Sequence, residues 1–119
     1  MNKAIVSGNL AKDPEIRYTQ SGKAVCTFSI GVNSGWGDNK RTDWLNIVVW
    51  GKAAEACGNN LVKGRKVLVE GRIQVRSYDA NDGSKRYVTE IVANDVEFLD
   101  AKKAAGQGNQ TVPDEEIPF

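Results

Sequence analysis

The sequence predicts an all-β fold: a five-stranded Greek-key barrel with one short helix between its third and fourth strands, plus a disordered acidic C-terminal tail. Two observations lead to this prediction. Five segments rich in β-branched and aromatic residues alternate apolar with polar side chains, as half-buried strands do. Only the segment KAAEAC, after Gly51, has a helical composition. The 119 residues, 40% of them hydrophobic and 26% charged, suffice for one soluble domain with a single core.

The first two strands are predicted over residues 3–10 and 24–33, where apolar and polar side chains alternate. Gly8 marks a bulge in the first strand. A turn follows at Asp13-Pro14, and residues 16–18 form a short segment that can extend the pairing. The apolar face of the second strand carries Cys26, Phe28, Ile30 and Val32.

The third strand carries Trp44 and Trp50 at either end of the aliphatic run LNIVV. Because side chains alternate between faces along a strand, the aliphatic residues at 45, 47 and 49 share one face, which suits a core. The opposite face carries both tryptophans and Asn46. Large aromatic residues are usually mostly buried, so this strand alone leaves open whether the rings belong to a core or to a surface. The helix after it ends around residues 58–60.

The fourth and fifth strands form a long hairpin, predicted over residues 66–78 and 86–99 with Asn81-Asp82-Gly83 at its turn. Gly71 permits the sharp coiling that small barrels need. One face of the fourth strand is aliphatic and consists of Val67, Val69, Ile73 and Val75. The other face combines polar groups with one aromatic ring and consists of Arg72, Gln74, Arg76 and Tyr78. Three strands, a helix and two strands is the order of the OB-fold. A β-sandwich would normally need about seven strands.

Several classes of function are excluded by residues that the chain lacks. It has no histidine, so no Ser-His or Cys-His nucleophile can form. Cys26 and Cys57 are far apart, which argues against a zinc site or a disulfide framework and favours small core residues in a reducing compartment. We therefore expect no enzyme activity, no metal and no cofactor. No apolar run approaches ~20 residues and no export signal is recognisable, so we expect a cytoplasmic protein without a membrane segment.

Charge and composition divide the chain into a domain at residues 1–100 and a tail at residues 101–119. Residues 1–103 hold all 16 Lys and Arg and 12 of the 15 acids, a net charge of +4, whereas residues 104–119 hold three acids and no base, a net charge of −3. The tail has few large apolar residues, so it is predicted to be disordered. A generic acidic end would only add solubility, but the ending Ile117-Pro118-Phe119 favours a partner with an apolar pocket beside a cation.

The third and fourth strands share a face that combines aromatic rings with long polar groups. An unpaired nucleic-acid strand fits such a face, because bases stack on rings and phosphates lie near cations, with ~1–3 kcal/mol per stacked base. A duplex hides the faces of its bases. For any single cation the alternative is a solvated surface. The candidate residues are Trp36, Trp44, Trp50 and Tyr78, with the cations Lys3, Lys40, Arg41, Lys52, Lys63, Arg72, Arg76 and Arg86.

Specific motifs identify a resemblance to the bacterial single-stranded DNA-binding protein family over residues 1–100 and again over the last six residues. The motifs are Gly8-Asn9-Leu10, Asp13-Pro14-Glu15, Thr42-Asp43-Trp44, Val48-Val49-Trp50-Gly51-Lys52, Leu61-Val62-Lys63-Gly64, Val69-Glu70-Gly71, Arg86-Tyr87 with Thr89-Glu90, and Asp114-Glu115-Glu116-Ile117-Pro118-Phe119. The resemblance implies a homotetramer that coats single-stranded DNA in the nucleoid during replication, recombination and repair. It also implies that the acidic tip recruits replication and repair enzymes. The family's stacking positions fall at Trp36, Trp44, Trp50 and Tyr78, and its basic contacts fall at Lys3, Lys52, Lys63 and Arg76.

The chain departs from the family's pattern at three places. Trp50 and Tyr78 replace the Phe and Trp of well-known members, and both keep a π face. Leu45 stands where some members carry a histidine at the subunit interface, and the linker between residues 99 and 114 is short. Two alternatives stay open: a pure adaptor whose barrel binds only protein, and an OB-fold that binds RNA. The scattered cations argue against an oligosaccharide ligand.

Overall fold

The computed structural model describes residues 1–99, which contain six strands, one α-helix and a single 3-10 turn at Gly37–Asn39. The elements are β1 (Ala4–Leu10), β2 (Glu15–Tyr18), β3 (Ala24–Ser34), β4 (Arg41–Trp50), α1 (Gly51–Asn60), β5 (Lys66–Asp79) and β6 (Lys85–Phe98). The five predicted strands correspond to β1, β3, β4, β5 and β6, and the segment at 16–18 forms β2. The all-β fold with one short helix after the predicted third strand is confirmed. The tail predicted from residue 101 lies outside the described residues.

The strands form one sheet in the order β1-β5-β6-β4-β3-β2, which closes into a barrel because β1 also pairs with β3. The short β2 pairs only with β3 and stands outside the closed barrel. All pairs are antiparallel except β4 and β6, which run parallel where residues 46–48 meet residues 90–92. Five closed strands, with the helix between the third and fourth of them, form the OB-fold arrangement.

Two glycines allow strands of the barrel to approach closely. A Cβ on Gly8 would collide with the carbonyl oxygen of Gly31, where β1 meets β3, and a Cβ on Gly71 would collide with the carbonyl oxygen of Val92. The bulge predicted at Gly8 is wrong, because β1 pairs with β5 without a register shift. The shift lies beside Gly71 instead, in the pairing of β5 with β6, where it increases the local twist.

The core is built from the inward side chains of the barrel strands and from one face of α1. Ile47 and Val69 are fully buried, and the helix adds Ala54 and Cys57. Cys26 and Cys57 are buried free thiols, as predicted for small core residues. Burial, and secondarily the Cys26 thiol, raises the pKa of Cys57 to about 12. Within residues 1–99, α1 is not long and apolar enough to span a membrane.

The β5–β6 hairpin carries its aliphatic face past the end of the core. Val67 and Val69 are buried, but Ile73 and Val75, on the same face of β5, are 46% and 61% exposed. Tyr87 of β6 lies on this face too, since it pairs with Ser77, and it is exposed. We call residues 72–89 the hairpin arm. Its aliphatic face is exposed at Ile73, Val75 and Tyr87.

Candidate nucleic-acid interface

The outer face of β4 exposes both of its tryptophans. Trp44 is 62% exposed and Trp50 is 43% exposed, whereas Ile47, of opposite parity, is buried in the core. The question that the strand pattern left open is therefore answered in favour of a surface. Asn46 lies between the two rings on the same face, and its Oδ1 accepts a hydrogen bond from Ser29 Oγ at 3.0 Å.

Gly31 leaves the space that the Trp44 ring occupies. The two residues are partners in the β3–β4 pairing, and a Cβ built on Gly31 would lie 2.7 Å from Cζ3 of Trp44. The indole therefore rests against the backbone of β3 and keeps its other side open to a ligand. The strand pattern assigned no role to this glycine. A glycine inside a strand was a signal for close approach, but only the register shows that the approaching group is Trp44.

The polar face of the hairpin arm lies on the same side of the sheet as the two tryptophans. The connection runs through β6, because Glu90 pairs with Asn46 of β4 and with Gln74 of β5. Tyr78 adds a third ring, 46% exposed. The structure thus brings together the residues that parity had assigned to one surface. We call this surface the aromatic face; it consists of Trp44, Asn46, Trp50, Arg72, Arg76 and Tyr78.

Glu90 is a buried carboxylate beneath this face, and it holds Arg76 in place. Its two oxygens accept hydrogen bonds from Nε of Arg76 at 3.1 and 3.3 Å, and one also accepts from Nε2 of Gln74 at 3.1 Å. Because Nε is the atom engaged, these contacts leave the terminal nitrogens of the half-exposed Arg76 side chain available. A buried acid among cations is not recognisable from strand alternation, so the sequence did not indicate this contact.

A cleft of about 640 Å³ adjoins the aromatic face between the Lys12–Arg17 segment and the hairpin arm. Its floor includes Thr27, Ser29 and Asn46. The sequence analysis did not select Lys12 or Arg17, because an isolated cation near a turn has no distinguishing pattern. Arg17 forms an exposed ion pair with Glu15 at 3.4 Å.

Three of the predicted cations are paired with surface carboxylates. The pairs are Lys3 with Glu70 at 2.6 Å, Arg41 with Asp43 at 3.2 Å and Arg86 with Asp82 at 3.6 Å. Pairs between such exposed groups are weak and exchange readily for a phosphate. Lys3 lies just before β1, beside β5, because Ala4 pairs with Gly71 and the Lys3 ammonium reaches Glu70.

The other predicted residues lie in loops or at the start of the helix. Trp36 is 87% exposed in the β3–β4 loop, which also contains Lys40. Lys52 is in the first turn of α1, two positions after Trp50. The backbone N–H of Lys63 donates to Oδ1 of Asp13 at 2.8 Å, which brings Lys63 to the cleft segment. Residues 114–119 lie outside the described part of the chain. Within residues 1–99, no cluster of three or more Cys, Asp or Glu side chains could hold a metal ion.

Comparison with known proteins agrees with this geometry. The chain matches the model of the single-strand binding protein family over residues 1–99. It is 45% identical to the single-stranded DNA-binding protein of Caldanaerobacter subterraneus subsp. tengcongensis, over 98% of this chain and 78% of that protein. It is 48% identical to single-stranded DNA-binding protein 2 of Clostridium acetobutylicum, over 84% of this chain and 77% of that protein.

One solved structure similar to this chain is described as a Plasmodium falciparum SSB complex with ssDNA. It has a TM-score of 0.79 and 32% sequence identity, and the match covers 84% of this chain and 96% of that one. The family match, the relatives and the shared fold lead to one conclusion: the chain belongs to the single-strand binding protein family.

Proposed function

We propose that this protein binds single-stranded DNA without sequence specificity, has no catalytic activity, and protects the strand during replication, recombination and repair. The observation that carries the proposal is the aromatic face, where two exposed indoles and a phenol lie with arginines on one side of a sheet. A ring offers its π surface to any base, and cations neutralise the phosphates between bases. Membership of the family, whose members are named for this ligand, supports the same conclusion.

The bound strand runs across the aromatic face and into the cleft, because Asn46 belongs to both. Stacking is assigned to Trp36, Trp44, Trp50 and Tyr78. Phosphate contacts are assigned to Lys3, Lys40, Arg41, Lys52, Lys63, Arg72, Arg76 and Arg86, and the geometry of the cleft adds Lys12 and Arg17. The site of action is the cytoplasm, in association with nucleoid DNA.

A titration with poly(dT) tests this function. We expect it to quench the intrinsic fluorescence of the protein, because the three tryptophans are all candidate stacking residues. Affinity should fall with salt, with a slope of roughly −0.7 per phosphate neutralised, and stacking should preserve measurable binding at high salt. A duplex of equal length is the control and poly(U) tests for RNA. Salt-independent binding, or equal binding of the duplex, would contradict the proposal.

We also propose that the protein acts as a homotetramer, and that the aliphatic side of the hairpin arm contributes to its assembly. Ile73, Val75 and Tyr87 form an exposed apolar strip on the side opposite to Arg76 and Tyr78. An exposed apolar patch of this kind marks an interaction surface. A second copy of the chain that covers this strip leaves the aromatic face open to DNA.

The variant Val75→Asp is expected to lower the mass of the assembly measured by light scattering, because it places a carboxylate in the strip. Asn81→Asp, at the hairpin turn, adds the same charge outside the strip and should keep the wild-type mass. A Val75→Asp protein with an unchanged mass shows that the strip is not an interface. A wild-type mass of one chain rules out the tetramer.

The tail is proposed to recruit replication and repair enzymes through residues 114–119, and residues 1–100 to form an independent DNA-binding domain. The support is chemical: the tip combines three acids with Ile117 and Phe119, which a proline holds apart. A partner pocket with apolar walls and a neighbouring Lys or Arg can take the Phe119 ring and an acidic side chain of the tip together.

Deleting Phe119 is expected to abolish the binding of purified replication and repair enzymes, measured by calorimetry. DNA affinity should be unchanged or slightly higher, since the acidic tail competes with DNA for the basic surface. The control is Gln110→Ala, which alters the tail without altering its tip. Partner binding that survives the deletion removes the recruiting role from the tip.

A further inference from the structure

The backbone of Lys23 is anchored by hydrogen bonds just before the start of β3. The turn before it is closed by three hydrogen bonds to Thr19: its carbonyl oxygen accepts from the N–H of Gly22 at 2.8 Å, its N–H donates to the Lys23 carbonyl at 2.9 Å, and its Oγ1 accepts from the N–H of Lys23 at 3.1 Å. Gly22 has a φ of 87°, which favours glycine at this position. The backbone of Lys23 is therefore anchored on both sides of its side chain.

The side chain of Lys23 reaches across β3 to the neighbouring strand. Its ammonium lies 5.6 Å from the centroid of the Trp50 ring, a cation–π contact. The strands bring the two residues together, because Val25, two positions further on, is the partner of Trp50. No ion pair between described residues includes Lys23, whereas Lys3, Arg17, Arg41, Arg76 and Arg86 all have carboxylate partners.

We propose that Lys23 is a DNA-contacting residue that binds a phosphate beside the base stacked on Trp50. In the free protein its ammonium lies over the Trp50 ring. In the complex a base stacks on the ring, and the ammonium moves aside to the phosphate of the same or the adjoining nucleotide. The inference rests on the proposed binding of single-stranded DNA and extends it to a residue outside the predicted site.

The chemistry of a nucleotide favours the movement of the Lys23 ammonium from the Trp50 ring to a phosphate. A nucleotide presents a flat base and a phosphate on one flexible unit, so a ring and a mobile cation side by side match it. Lys52, in the first turn of α1, lies on the chain just after Trp50. Lys23 lies over the ring and Lys52 follows it by two positions in the chain, so the nucleotide stacked on Trp50 has two lysines available for its neighbouring phosphates.

The test compares Lys23→Gln with the wild type in the binding of a dT oligonucleotide at several salt concentrations. Loss of one phosphate contact should make the slope of log affinity against log salt shallower by about 0.7. If the two proteins bind equally at 1 M salt, the variant should then bind about eightfold more weakly than the wild type at about 0.05 M. Lys23→Arg, which keeps the charge, should retain the wild-type slope. Lys66→Gln removes a lysine from the β1–β5 part of the sheet and is the matched control.

A double variant separates a DNA contact from a merely structural effect. In the Trp50→Leu background, Lys23→Gln should still reduce the salt slope, since the phosphate contact does not depend on the ring. Thermal unfolding verifies that each variant is folded, and Lys23→Met serves as a second neutral replacement. If both neutral variants keep the wild-type affinity and slope, the inference is overturned. If the wild type itself fails to bind the oligonucleotide, the proposed function is what fails.

Discussion

Replacing Trp44 and Trp50 together with alanine is expected to weaken the binding of a dT oligonucleotide by about 2–6 kcal/mol, since each stacked base contributes about 1–3 kcal/mol. Both rings are on the outer face of β4, 62% and 43% exposed, and neither belongs to the buried core. The free energy of unfolding should therefore change little. Fluorescence anisotropy of a labelled oligonucleotide gives the affinity, and urea denaturation gives the stability.

Two further variants make this prediction sharper. Tyr18→Ala removes an exposed aromatic side chain from β2, outside the aromatic face, and should leave affinity unchanged. Gly31→Ala keeps both tryptophans but places a Cβ 2.7 Å from the Trp44 ring, so the ring must shift. We expect that variant to lose part of the affinity that the loss of Trp44 removes. If the double variant unfolds, the rings belong to the core and the surface assignment is wrong.

Replacing Ile47 with alanine should have the opposite effect to the double tryptophan variant. We expect a large loss of stability and no direct loss of a DNA contact. Ile47 is fully buried, and it lies on the strand that carries both tryptophans. Removing its buried carbons leaves a cavity in a well-packed barrel, which typically costs about 2–5 kcal/mol of unfolding free energy. For a domain of this size that loss is a large share of the total stability.

The neighbouring variant Asn46→Ala is the control for Ile47→Ala. Asn46 is exposed on the outer face and loses one hydrogen bond, from Ser29, so its effect on unfolding should be much smaller. Both variants are measured by urea denaturation at one protein concentration, because assembly of several chains makes stability concentration-dependent. Equal stability of the Ile47→Ala and wild-type proteins would mean that the inward face of β4 has been misidentified.

Strand alternation predicted which residues of β4 share a face, but it did not identify which face meets solvent. Both faces of an isolated strand can be covered, and tryptophan is usually buried. The pairing with β3 and β6 decided the question by placing Ile47 inside the closed barrel. On β5, strand alternation correctly placed Val67 and Val75 on one face. Only the closed sheet shows that Val67 is in the core and that Val75 lies beyond its end.

The sequence by itself determined the fold class, the strand count of the barrel, the place of the helix and the residue types of the ligand surface. These follow from the period of the side chains and from chemistry that each residue carries alone. Only the tertiary structure decided that Gly31 underlies Trp44, that Glu90 holds Arg76, that Lys12 and Arg17 border the cleft, and that Lys23 lies over Trp50. Each of these arrangements joins residues from different strands or loops, and strand register brings them together, which no local pattern encodes.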